Sequence, residues 1–139
     1  MKKGYEVLPH TADIGITAWG KDMAEVFVNT ARGLFSIIAD IDKIRANFEI
    51  PLSVTAPDRE SLLVNWLNEL NFIAQTKFLV FSDFKIQNIS DTSIEATALG
   101  EKINPHAHYL KREIKAVTYH HLKIAKTAEG WQAQVIFDI

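Results

Sequence analysis

The segment after Pro57-Asp58 narrows the possible folds more than any other. Its Leu62, Leu63, Trp66, Leu67, Leu70 and Ile73 recur at three- and four-residue steps, an apolar stripe wide enough to cover a sheet face. Trp66 reads as core. An earlier helix starts at Asp22, with Glu25 three residues on, and carries Val26, Phe27, Thr30, Leu34, Phe35, Ile37 and Ile38 at the same period. Gly33 inside it costs about 1 kcal/mol relative to alanine, which means either close packing against another backbone or simple tolerance.

Most of the remaining chain alternates. Residues 5–8 form a short strand ended by Pro9, and Ile14, Ile16 and Ala18 alternate with Gly15, Thr17 and Trp19 up to Gly20. Phe48, Ile50, Leu52 and Val54 share a face, and Pro51 on the other face marks an edge strand. Residues 78–81 follow the second helix, and residues 84–89 and 92–99 are two runs separated by Ser90-Asp91, a hairpin; residues 113–124 and 131–137 form another around Ala128-Glu129-Gly130. Val135, Ile136 and Phe137 are all apolar, which places the last strand well inside a sheet. Residues 40–47 read as a connection, and residues 100–110 carry no regular signal. The expected fold is α+β: two helices packed on a mostly antiparallel β-sheet in a single compact domain spanning residues 1–139.

Composition removes several function classes. A formal charge of -2 argues against an extended surface that neutralises many phosphates. The absence of cysteine excludes disulfides, thiolate zinc sites and cysteine nucleophiles, and suits a reducing compartment. Met1-Lys2-Lys3 is followed by Gly4-Tyr5-Glu6 instead of an apolar signal core, and no later run approaches membrane-spanning length, so the expected location is cytoplasmic with no membrane partner. The glycine-rich phosphate loops and the Gly-x-Ser-x-Gly nucleophile elbow are missing too.

The groups left to carry chemistry are carboxylates, histidines and one lysine. Asp13 stands at the entrance of a strand, in the polar stretch Leu8-Pro9-His10-Thr11-Ala12-Asp13-Ile14-Gly15. The sequence closes on Val135-Ile136-Phe137-Asp138-Ile139. If the first and last strands are neighbours, Asp13, Asp138 and the Ile139 carboxylate meet. An all-oxygen donor set of that kind suits a hard divalent cation, calcium in particular. By spacing alone an aspartate at a strand entrance also caps turns, and a terminal carboxylate also sits in solvent. His106 and His108 would share one strand face as a transition-metal pair, or belong to a polar loop. His120 and His121 would point to opposite faces of their strand. Lys115, between Ile114 and Ala116-Val117, is either a snorkelling surface lysine or a cation aimed at an anionic ligand or partner.

Three stretches, in this order, resemble the archease family: His10-Thr11-Ala12-Asp13-Ile14-Gly15, Glu113-Ile114-Lys115-Ala116-Val117-Thr118-Tyr119-His120, and the closing Val135-Ile136-Phe137-Asp138-Ile139. The likeness extends over the whole chain, since Leu62-Leu63-Val64-Asn65-Trp66-Leu67-Asn68-Glu69-Leu70 also matches the family's second helix. The resemblance implies a compact α+β fold and a non-catalytic activator of the RtcB-type tRNA-splicing ligase, an RNA ligase guanylylated on a histidine by GTP and manganese. The activator promotes guanylylation and multiple turnover, and meets tRNA only indirectly. The resemblance also implies a calcium site at Asp13, Asp138 and Ile139, and a role in partner contact or activation for Lys115, His10 and His120. Asn104 departs from the family, which often has an aspartate in this segment. Two other readings compete: a chaperone or modulator of tRNA-modifying enzymes such as a tRNA methyltransferase, and a metal-dependent hydrolase in which Asp13 and Asp138 hold the ion and a histidine is the base. The sequence leaves the oligomeric state open.

Overall fold

The structure, a computed structural model, describes residues 4–9, 12–108 and 110–139. Two long helices form where the periodicity requires them. Helix α1 spans Met23–Ile38, and its N-cap Asp22 accepts a 2.8 Å hydrogen bond from the Glu25 backbone N–H. Helix α2 spans Arg59–Lys77, and its N-cap Asp58 accepts one of 2.8 Å from Ser61. That bond holds the Asp58 carboxyl below its usual value, so the contribution of this cap to stability is present above the ordinary carboxylate pKa and is lost as pH falls through the lowered one.

The strands divide between two antiparallel sheets where the sequence suggested one. Strands β1 (Tyr5–Pro9), β2 (Asp13–Gly20), β7 (Gly130–Asp138) and β6 (Ala116–Thr127) lie side by side in that order. Strands β3 (Phe48–Thr55), β5 (Ser93–Lys102) and β4 (Leu79–Ile89) form the other sheet, with Pro51 on edge strand β3 as expected. β4 is continuous through the expected break near Ser82-Asp83, where a bulge shifts its register against β5. β7 lies inside its sheet, between β2 and β6, as its three consecutive apolar residues indicated.

The helices join the sheets. α1 packs on β1, β2 and β7 of one sheet and on β4 of the other, while α2 packs on β6 of the first and on β3, β4 and β5 of the second. A single cluster of buried apolar side chains accordingly contains Ile16, Val135 and Phe137 from one sheet with Phe81, Phe84 and Ile94 from the other. Trp66 is fully buried there, its ring 5.9 Å from that of Phe84 and its Nε1 donating to the Phe27 carbonyl of α1 at 3.1 Å. Gly33 does mark a close approach, but to side chains: a Cβ there would stand 3.0 Å from Ile16 Cδ1 and 3.4 Å from the Tyr5 ring.

The tightest backbone approach is at Gly100, where β5 passes β4. A Cβ added there would overlap the Val80 carbonyl oxygen and lie 2.8 Å from Phe81 Cα, whereas one added at Gly15 would meet nothing closer than 3.6 Å. Gly100→Ala should therefore cost about 3 kcal/mol and Gly15→Ala much less, a difference that denaturant unfolding of the two variants would resolve.

Candidate functional site

The register of the first sheet brings the two separated carboxylates together. β2, not the edge strand β1, is the neighbour of β7, and Asp13 stands directly opposite Asp138. Ile14, Ile16 and Ala18 on β2, and Phe137, Val135 and Ala133 on β7, are buried under the helices. Asp13 and Asp138 take the alternate positions and project from the outer face, Asp13 half-buried and Asp138 exposed. Directly opposed residues have Cβ atoms about 5 Å apart, and two like charges so placed destabilise the pair. Neither carboxylate forms an ion pair with a described residue. Ile139 follows at once, half-buried, its side chain packed against the core.

Lys115 reaches the same tip by an unexpected route. The chain is not yet a strand there: β6 begins at Ala116, and residues 110–115 form a strap outside any regular element. The Lys115 backbone N–H donates to the Asp138 carbonyl at 2.9 Å. Side-chain amides of α2 hold the strap on either side of it. Asn71 Nδ2 and Gln75 Nε2 donate to the Ile114 carbonyl at 3.0 and 2.9 Å, and Asn68 Oδ1 accepts from the Val117 N–H at 3.2 Å. The Lys115 side chain is exposed and free of any ion pair with a described residue. These three amides were missed in the sequence, although residues 68, 71 and 75 fall at helical spacing beside the apolar stripe.

The histidines do not build a metal pair. Residues 105–108 wind into a helical turn, α3 (Pro105–His108), because Asn104 Oδ1 caps it by accepting from the His106 and Ala107 N–H groups at 3.1 and 3.3 Å. His106 is exposed while the His108 side chain is fully buried, so the shared strand face does not exist. His108 Nδ1 accepts from the Asn104 N–H at 2.8 Å, which leaves the proton on Nε2, hydrogen-bonded to Glu101 Oε1. Glu101 Oε2 in turn accepts from the Arg45 N–H at 3.0 Å and from Asn47 Nδ2 at 3.2 Å. This knot, with His108 buried and its Arg45 and Asn47 contacts at the surface, ties the 40–47 connection to the end of β5.

His120 and His121 are likewise not on opposite faces of a regular strand. Pairing of β6 with β7 jumps from Thr118↔Ile136 to Lys123↔Gln134, leaving residues 119–122 as an excursion opposite Val135. His121 takes a left-handed conformation at φ 51°, and both imidazoles are exposed. His120 lies in that excursion, four residues along β6 from Ala116, the partner of Asp138. His10 and Thr11 lie outside the described residues.

The donor set at the tip suits a hard cation: two outward carboxylates in cross-strand register, with Ile139 next in line. Among the described residues no cluster of three or more His, Cys, Asp or Glu side chains could hold a metal, so a side-chain-only site is absent there and the tip needs a further oxygen. No described helix is long and apolar enough to cross a membrane.

Comparison with known proteins adds a second line of evidence. Residues 5–139 match the model of the Archease protein family. The chain is 45% identical to the protein archease of Methanosarcina mazei, over 99% of this chain and 97% of that one. It is 40% identical to the protein archease of Pyrococcus furiosus, over 97% of this chain and 98% of the relative. The solution structure of Methanobacterium thermoautotrophicum protein 1598 superposes with a TM-score of 0.80 at 38% identity, over 99% of this chain and 100% of that one. A crystal structure from Thermotoga maritima, described as an archease, possible chaperone, shares the fold with a TM-score of 0.65 at 22% identity, over 100% of this chain and 98% of that one.

Two outcomes test the geometry without reference to any partner. In chelator-treated protein at low salt, Asp138→Asn should raise stability by about 0.5 kcal/mol by removing the cross-strand repulsion, and the gain should shrink in high salt, as thermal melts would show. Glu101→Gln should lower stability by about 2 kcal/mol in denaturant unfolding, because an amide cannot accept from His108, Arg45 and Asn47 together.

Proposed function

This chain belongs to the archease family, and from that premise we propose that it is a non-catalytic activator of an RtcB-type tRNA-splicing ligase in the cytoplasm, promoting guanylylation of the ligase and so its multiple turnover. The observation that carries the reading is the register of β2 with β7, which sets Asp13 opposite Asp138 on the outer face of the sheet. In this proposal Asp13, Asp138 and the carboxylate of Ile139 hold calcium. The ion when bound supplies the charge that lets the opposed carboxylates coexist.

The roles of the chain's own groups follow from their placement. The carboxylates present a compact charged tip, and Lys115 extends an exposed ammonium beside it toward an anionic group of the ligase and its nucleotide. Asn68, Asn71 and Gln75 fix the backbone on either side of Lys115, and its own amide is bonded to Asp138, so its position is held from both α2 and β7. The tip docks at the nucleotide site of the ligase and orders the groups that take part in guanylyl transfer, which the ligase itself performs. The protein meets tRNA through the ligase and not on a surface of its own, as the net charge of -2 suits.

The deciding experiment is RNA ligation by the cognate ligase under single-turnover and multiple-turnover conditions, with and without this protein. Stimulation of multiple turnover is the expected result. Turnover of a substrate by the purified protein alone would favour a metal-dependent hydrolase. Complex formation with a tRNA methyltransferase and no effect on ligation would favour a modulator of tRNA modification. Asp13→Ala, or residues added after Ile139, should abolish stimulation with the fold retained. Calcium at a hundred times its dissociation constant should stabilise the native chain by about 2.7 kcal/mol and the Asp13→Ala chain far less, by thermal melting.

A further inference from the structure

The strap that carries Lys115 to the tip also walls an open cleft of about 560 Å³. Its floor is apolar and comes from three parts of the chain: Ile38 at the end of α1, Ala74 of α2 with Leu79 beyond it, and Leu110 and Ile114 of the strap. Leu110 is 45% exposed, so part of that apolar lining is a large side chain left facing water. The strap is not loose. Lys111 N–H donates to the Ile38 carbonyl at 2.8 Å, its Nζ reaches the Ser36 carbonyl at 3.3 Å, and Asn71 and Gln75 grip Ile114. The cleft is thus preformed on both walls.

Charge distinguishes this cleft from an ordinary surface groove. Lys111 and Arg112 stand side by side on the strap and border both it and a neighbouring cleft lined by Tyr5, Glu6 and Ile14. Neither has a carboxylate partner among the described residues, and Glu113 is the one acid lining the first cleft. Lys111 completes the C-terminal end of α1, whose last turn has no basic residue of its own. Arg112 has no such task, and its guanidinium is available to a carboxylate from outside.

We infer that this cleft is a second docking point for the ligase, taking an apolar side chain of a partner segment into the floor and a neighbouring acidic residue onto Arg112. The inference rests on the activator reading given above and adds to it where the partner is held. Continuity argues for the same partner: Ile114, in the cleft wall, precedes Lys115, whose amide is bonded to Asp138 at the tip. The shape also suits a polypeptide, since the cleft is open along the strap, whereas sites for small molecules enclose most of their ligand. An apolar anchor with a charged flank is the pattern by which small interfaces gain most of their affinity.

The test is equilibrium binding of the full chain to the purified cognate ligase without RNA. Leu110→Ala and Arg112→Glu should each weaken binding at least tenfold, Arg112→Lys should recover most of the loss, and the exposed Lys85→Glu on β4 should leave it unchanged. Both altered side chains are exposed, so unaltered thermal midpoints separate lost contact from lost fold. Native affinity in both Leu110→Ala and Arg112→Glu would overturn the inference. So would a dimer of this chain that depends on Leu110, or 8-anilinonaphthalene-1-sulfonate bound in the cleft and not displaced by saturating ligase. Affinity that these variants lose supports the cleft even where the native chain fails to stimulate ligation, which would overturn the activator reading alone. No binding by the native chain overturns both.

Discussion

The antiparallel pairing of β2 with β7 is the contact on which the rest of the molecule depends. It joins residues more than a hundred positions apart in sequence, and its inner side chains, Ile16, Ala18, Ala133, Val135 and Phe137, are fully buried beneath the helices. A slip of one residue would turn that apolar set outward, so the core fixes the register strongly. The outer positions have no such freedom of their own. Asp13 faces Asp138 because Ile14 must face Phe137, and the electrostatic cost of opposed carboxylates is carried by a hydrophobic pairing that outweighs it.

The second constraint is the way α2 serves two sheets. Its apolar stripe covers the three-stranded sheet and reaches β6 of the other, while Asn68, Asn71 and Gln75 satisfy backbone groups of the strap and of the first residues of β6. Those groups have no strand beyond them, since β6 is the edge of its sheet. The amides therefore protect an edge, join the sheets and set the position of Lys115 by one arrangement. A buried carbonyl such as that of Ile114 needs its partners, and a donor deleted from α2 is felt at the tip.

Much of this was legible in the sequence, for reasons particular to each element. Asp22 and Asp58 announced helix starts because a side chain that caps a helix acts within three residues of itself. The alternation of Ile14, Ile16 and Ala18 announced β2 because burial on one face repeats every second residue. Reading failed where a local signal was outvoted by a distant one. Lys115 sits among β-formers, yet α2 takes the backbone around it and β6 starts a residue later. His106 and His108 have the spacing of a strand face, yet Asn104 caps a helical turn and Glu101 claims His108. His120 and His121 fell in an excursion that no periodicity signals. Division into two sheets was equally invisible, because each hairpin satisfies its own pattern whichever sheet it joins.

The tip and the cleft differ in the kind of interaction each can supply. Exposed charges at strand ends are screened and hydrated, so by themselves they hold a partner weakly while sensing its charge closely. An apolar floor with an unpaired guanidinium at its rim has the opposite character: it gains from area removed from water and is indifferent to the chemical state of what lies beyond it. The strap between them is short, and both of its ends are held by hydrogen bonds. A partner held at the cleft would therefore meet the tip at a fixed place, so that a weak electrostatic contact became an intramolecular one at high effective concentration. The strength of attachment and the response to charge would then be set by different residues.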